Sequence, residues 1–422
     1  MKYQRISLSA AVAAVVSAAA FAPAAHAIDI TAGDWKLSID GNVNAHYVYS
    51  RCDTNAKTIA GGLACTDNDP SSSSVSNGLL PAALSISGAT TQGAYDIGFT
   101  FGLYPGISTN DGGSPNLQQT TTASPSPTKG DSNTALGTAG LDVRQVFLTF
   151  GNKDMGTVMA GRNIGFFGAD AILNDMTLLG VGAGNGNYAA PANTSLGSIG
   201  LGYIYTDWLA QIDYTTPDMF GMKASIGIFD PLNTLSQIPS SKKAPGIQAK
   251  VAYTAGPLYL SMSGLFQQQR DTTTGAEALV NNGNYNSWAV DFGGKYDIAG
   301  FEFAGWYYVG KGVGTTGLFV NSDDGAGDPR DSDGYLAQVT YKINSTKFGI
   351  NYGQSILKAA SGDIGVGRFD LVGKNDKITL GVYQDLTANL MVLFEVSRLA
   401  SLNQGGQENS SRNANIGAFL KF

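Results

Sequence analysis

Charged side chains make up only 14% of this 422-residue chain. A soluble domain of this size usually carries more. Cysteine is limited to Cys52 and Cys65, and only one histidine, His46, follows residue 27. So few ligands without clustered spacing give no metal signature and no cofactor site. Beyond the N-terminus no stretch offers 18 consecutive apolar residues, which excludes a membrane-spanning helix. No short repeat recurs, so a solenoid is excluded, and no linker is long enough to set off a second domain. The net charge is −7, becoming about −9 once Lys2 and Arg5 are set aside, which argues against a nucleic-acid partner.

What is present begins with an export leader. Lys2 and Arg5 precede an apolar stretch from about Ala10 to Phe21, followed by Ala25-His26-Ala27, an A-x-A cleavage signal. Residues 1–27 read as a signal peptide that is removed, and 28–422 as one mature domain. In an oxidising compartment Cys52 and Cys65 are expected to form a disulfide; two free thiols or a metal pair is the alternative.

The mature chain is written in a period of two. Trp35, Leu37, Ile39, Val43, Ala45, Tyr47 and Tyr49 alternate with Lys36, Ser38, Asp40, Asn42, Asn44 and His46. Successive strand residues face opposite ways, so one face suits hydrocarbon and the other water. A Lys on the lipid side would cost about 2 to 4 kcal/mol near the midplane, so the Lys36/Asp40 face must look inward. The same grammar recurs to the C-terminus, where Ala414, Ile416, Ala418, Leu420 and Phe422 share a face and Phe419 breaks the pattern.

Consecutive alternating segments pair as hairpins across short turns such as Ala255-Gly256-Pro257 and Asn344-Ser345-Thr346. Long polar connections fall near 51–77, 105–140, 163–197, 230–245, 269–285, 311–332, 355–375 and 399–412. Eight long connections on one rim and short turns on the other predict an all-β fold: a transmembrane antiparallel up-and-down barrel of about sixteen strands, with both termini at the short-turn end. Abundant Gly (55) and Tyr (19) suit lipid-facing strands with aromatic ends. A large soluble sandwich is the alternative that alternation alone leaves open.

Asp142-Val143-Arg144-Gln145-Val146-Phe147-Leu148-Thr149-Phe150-Gly151, then Met155-Gly156-Thr157-Val158 and Ala160-Gly161-Arg162-Asn163-Ile164-Gly165, resemble the fourth and fifth strands of the Gram-negative general porins. Asp213-Tyr214-Thr215-Thr216-Pro217-Asp218-Met219-Phe220-Gly221 resembles a turn of that family. With the leader and the terminal Phe, the resemblance spans essentially the whole mature chain. It implies a trimeric outer-membrane channel whose third long loop, here about 163–197, folds into the lumen. It also implies a constriction in which Arg144 and Arg162 are basic groups and Asp175 a loop acid, with Asp170 in the same loop. Two positions depart from the family. Leu179 stands where a second loop acid is common, and Ser198 falls at a further wall-arginine position, which predicts a less polar eyelet.

Opposed charges across a wet neck orient dipolar solutes and penalise apolar ones, and Arg144 with Asp175 is the leading pair for that role. The plainer reading is that Arg144 anchors the loop, and that Arg162 and Asp170 cap its ends. Lys36, Asp40, His46, Lys250, Asp291, Lys295, Glu302, Lys342 and Lys421 are expected to line the lumen. Asp323, Asp324, Asp328, Asp331 and Asp333 form an acidic loop without the terminal Glu of an EF-hand, so a solvated loop is favoured over a cation site. His46 shares its face with Asp40 and Asn44 instead of a nucleophile, so no enzyme is expected. The functional reading is passive diffusion of small hydrophilic solutes and ions through an outer-membrane homotrimer in contact with lipid. The alternatives are a solute-selective channel and a structural or adhesive surface barrel.

Overall fold

In a computed structural model the described residues are 28–53, 57, 59–65, 71–107, 141–184, 194–233, 244–270 and 284–422. The leader, Ser124–Pro127 and most of the 105–140 connection lie outside them. The period-two segments form strands β1 (Ile28–Ala32), β2 (Trp35–Cys52), β3 (Ser71–Ser76), β4 (Ala83–Gln92), β5 (Tyr95–Pro105), β6 (Leu141–Asn152), β7 (Gly156–Ile164), β8 (Trp208–Thr215) and β9 (Met222–Phe229). The second half adds β10 (Gly246–Ala255), β11 (Leu258–Gln269), β12 (Tyr285–Ile298), β13 (Phe301–Lys311), β14 (Asp331–Ile343), β15 (Thr346–Leu357), β16 (Val372–Asp385), β17 (Leu390–Asn403) and β18 (Glu408–Lys421).

These eighteen segments close into a barrel of sixteen staves. β3 and β4 lie end to end along one edge of β2, pairing with Arg51 to His46 and with Asn42 to Lys36. Along the other edge β18 ends at Lys421 opposite Asn42, and β1 continues the stave from Ile28 opposite Ile39. Gly41 and Phe422 exchange two backbone hydrogen bonds of 3.0 Å at that junction. All pairings are antiparallel between sequence neighbours, and β18 against β2 closes the circuit. Among the described strands no free edge is left to meet lipid with unpaired backbone groups.

The two faces fall as the alternation predicts. Tyr47 is 48% exposed and lies outside, whereas Asn42, Asn44 and His46 beside it are buried inside. The outer face of β10 to β16 carries Tyr253, Phe266, Trp288, Phe292, Phe303, Tyr335, Phe348 and Leu380, all exposed. Phe419, the exception in the last strand, points inward and is buried against Tyr383, Met391 and Leu393.

Three connections differ from expectation. The 51–77 link contains a strand, β3 (Ser71–Ser76). β17 and β18 extend into the 399–412 segment and leave only 404–407 as a turn. The third long connection runs 165–207, since β7 ends at Ile164 and β8 begins at Trp208. Its second half, including Ile199, Leu201, Tyr203 and Tyr205, is apolar and buried, because it packs inside the barrel and not on a surface. Cys52 and Cys65 are bonded to each other, with Cα atoms 5.7 Å apart.

Candidate functional site

The described parts of the third long loop, 165–207, with its short helix α1 (Ala169–Leu173), lie inside the barrel and pack on its inner wall. Inward-facing Ala304, Trp306, Leu336 and Leu399 belong to one buried cluster with Ile172, Leu178, Ile199, Leu201 and Tyr203 of the loop. A membrane barrel thus has an apolar core of its own, made where wall and loop exclude water from each other.

Polar wall residues fix the loop at successive staves. On β10, Gln248 Oε1 accepts from the backbone N–H of Phe166 and Phe167 at 2.7 and 2.9 Å, and Lys250 Nζ meets Asp170 Oδ1 at 2.8 Å. On β12, Asp291 Oδ2 accepts from Gly168 N at 2.7 Å. On β14, Gln338 Oε1 accepts from Met176 N at 2.9 Å while its Nε2 donates to Asn174 O at 2.7 Å. Asn351 of β15 donates to Asp175 Oδ1 at 3.1 Å, and Lys377 of β16 donates to Gly197 O at 2.7 Å. On β17, Glu395 Oε2 accepts from Val181 N and Gly182 N at 2.9 Å each, and its Oε1 from the Tyr383 hydroxyl at 2.6 Å. Lys377 and Glu395 are both 0% exposed. Such groups are tolerable there only because each is hydrogen-bonded and near opposite charge.

The far side of the lumen meets the loop halfway. The 77–82 break between β3 and β4 turns inward, and Leu79 N and Leu80 N donate to Gly180 O and Leu178 O at 2.7 and 2.9 Å. Thr194 Oγ1 adds a 2.7 Å bond to Leu79 O. Beside this seam Leu80 and Leu179 pack on Tyr383, Met391, Leu393 and Phe419 of the wall. Leu179, the departure noted in the sequence, therefore belongs to an apolar patch facing three adjacent strands.

Arg144 owes its place to a β-bulge. Gly102 pairs with Gln145 and Leu103 with Val143, so Arg144 has no opposite residue and both it and Gln145 are buried. A bulge of this kind re-aims a side chain against the strict alternation. Its Nε meets Asp142 Oδ2 at 2.8 Å, and its guanidinium lies over Tyr104 and Trp208 at 5.1 and 6.0 Å from the ring centroids. Tyr104 OH donates to Gln145 Oε1 at 2.7 Å, and Gln145 Nε2 to Asn163 Oδ1 at 3.0 Å. Burial pushes the Asp207 carboxyl up to about 6, opposed by the Trp208 N–H and the charges of Arg162 and Arg144. Burial likewise raises Tyr203 and Tyr205.

Asp175 accepts from Thr177, Tyr203 and Asn351, while Arg144 lies beside Asp142, Tyr104, Trp208 and Tyr205. Arg162 stands opposite Val146 and Ala210 in the ladders, and both of those belong to the exposed outer face. Its Nε is nevertheless buried, and its charge is felt by Asp207. Ser198 lies in the loop, not on the wall, and accepts from Asn351 Nδ2 at 3.3 Å.

Among the expected lining residues, His46 is 1% exposed with both ring nitrogens unpartnered among the described residues, and Asp40 is half-buried. Lys250 and Asp291 are committed to the loop. Lys295 pairs with Glu302 at 3.6 Å and Lys342 with Asp385 at 3.1 Å, while Lys36 is exposed near the short-turn end. Gln338, Asn351, Lys377 and Glu395 were not singled out from sequence. Alternation puts them on the inner face, but what they hold lies some 160 to 215 residues away. In the acidic loop, Asp323 and Asp324 accept from the backbone N–H of Gly325, Ala326 and Asp328. Among the described residues no group of three or more His, Cys, Asp or Glu is placed to hold a metal.

The outer-membrane channel DcaP of Acinetobacter baumannii has a similar fold, at TM-score 0.67 and 13% identity over 93% of this chain and 99% of that one. OmpF of Salmonella typhi, solved with daunomycin, is similar at 0.57 and 14%, covering 94% and 100%. A trimer form of OmpT from Vibrio cholerae gives 0.52 and 12%, covering 92% and 99%. No curated protein sequence matches the chain. The family profile described as Gram-negative porin matches residues 10–404, and the chain belongs to that family of outer-membrane diffusion channels.

Proposed function

We propose that this porin is a narrow, partitioned pore which passes small hydrophilic solutes and resists ions at an apolar step. The observation that carries this reading is the seam of Leu79 and Leu80 with Leu178 to Gly180, backed by Tyr383, Met391, Leu393 and Phe419. An apolar constriction raises the cost of a bare ion far more than that of a neutral solute, because an ion loses hydration there without replacement ligands. The Arg144 cluster, with Asp142, Asp207, Tyr104 and Trp208, supplies fixed charge and aromatic faces. The chain is read as exported by its 1–27 leader and assembled as a homotrimer, in keeping with the trimer form of OmpT that shares its fold.

Replacing Leu80 and Leu179 together by Ser tests the apolar step. Single-channel ion conductance is expected to rise several-fold while liposome swelling rates with neutral sugars change less than twofold. Equal rises in both would assign the seam a purely steric role.

A further inference from the structure

The outer wall carries a depression that channel function does not use. Gly294 of β12 pairs with Gly305 of β13, and Gly305 with Ala337 of β14, so three of the smallest residues fall side by side on the lipid-facing surface. Leu260 closes one end of this row and Tyr352 the other, each directly opposite in the ladder. Tyr296 and Phe303, one step nearer the short turns, stand as a wall along it. The trough is a shallow hollow, open along its lipid side, with a volume of about 580 Å³. Gly294 is dictated by packing, since a Cβ there would lie 2.3 Å from the Tyr259 carbonyl oxygen. Gly305 is not: the nearest atom to its Cβ would be 3.4 Å away, so its missing side chain leaves space that the fold does not require.

Gly294 is four residues from the end of β12, about 13 Å along the strand, which sets the trough in the periplasmic half of the hydrocarbon band. We propose that it holds one acyl chain of a periplasmic-leaflet phospholipid. In hydrocarbon there is no hydrophobic gain in trading lipid for protein, so retention rests on contact. A convex wall touches a chain on one side, whereas the trough touches it on several, and dispersion contacts accumulate with each added neighbour. A gap of this size surrounded by lipid is filled, and the chains of that leaflet are the molecules at its depth.

Native mass spectrometry of the protein, extracted and washed in mild detergent, reads the outcome. Wild-type protein is expected to retain phospholipid after washing, and Gly305→Leu or Ala337→Phe to reduce the retained amount at least fivefold. Ala249→Phe, on the outer face of β10, serves as the control and retains wild-type levels. Unheated gel migration verifies that each variant is folded. Wild type without retained phospholipid overturns the proposal whatever the variants do, and so does full retention in a folded Gly305→Leu. Loss of the oligomer on filling the trough, with lipid retention unchanged, would instead make it a contact between copies.

Discussion

At the scale of single residues, Arg144 shows how one irregularity determines chemistry. The bulge opposite Gly102 and Leu103 turns it into contact with Asp142, Tyr104 and Trp208. Removing one partner of a buried pair costs about 3 to 5 kcal/mol, because the other charge stays behind without compensation. Arg144→Ala is expected to lower the urea midpoint accordingly and to shift reversal potentials in asymmetric salt toward cations. Adding Asp142→Asn should recover most of the lost stability. An unchanged reversal potential in Arg144→Ala would remove it from permeation. Asp207 makes the complementary case. Its carboxyl is raised to about 6 in the folded protein, so its contribution to stability is complete below its ordinary value near 3.8 and is lost as pH rises through about 6. Protection factors for hydrogen exchange in the 194–207 segment, with the intrinsic pH dependence of exchange divided out, should therefore be higher at pH 4.5 than at pH 7. Asp207→Asn should abolish the difference; persistence of the difference would point to another group.

At the scale of elements, the long extracellular loops are tied to each other as well as to the wall. Arg330, at the end of the 312–330 loop, grips Asp363 in α2 (Ser361–Val366) with Nε to Oδ2 at 2.7 Å and Nη2 to Oδ1 at 2.6 Å, both side chains 1% exposed. Burial raises the Asp363 carboxyl, but hydrogen bonds from Arg330 and the Ala360 N–H and the Arg330 charge outweigh it and leave the group below its ordinary value. The clamp is thus present above pH 3.8 and fails as pH falls through the lowered value. Asp363→Ala should expose both 312–330 and 358–371 to protease, at a cost of about 3 to 5 kcal/mol. Cleavage confined to one loop would show that they move independently. Strands and turns were legible because local alternation and turn chemistry determine them. The end of the third loop was not, because 198–206 is apolar enough to pass for wall, and only the tertiary fold sends it inside.

At the scale of the whole molecule, a two-faced wall was readable in the first strand, where Trp35 to Tyr49 alternate with Lys36 to His46, and its closure only from the recurrence of that pattern between alternating short and long connections. The family resemblance added the inward third loop, which no local pattern encodes. The surroundings of the individual loop residues were less legible. Leu179 hinted at an apolar eyelet, but its partners Leu80, Tyr383, Met391, Leu393 and Phe419 come from segments far apart in sequence. For Arg162 the motif fixes only its neighbourhood, while ladder register places it opposite Val146 and Ala210.

The most direct test of a lumen divided by the third loop is planar-bilayer recording of the purified protein in symmetric salt. The account predicts ohmic steps grouped in threes, small for a sixteen-stave barrel, that grow when Leu80 and Leu179 are both replaced by Ser. Wild-type steps as large as those of an undivided barrel, unaltered by that double replacement, would contradict it.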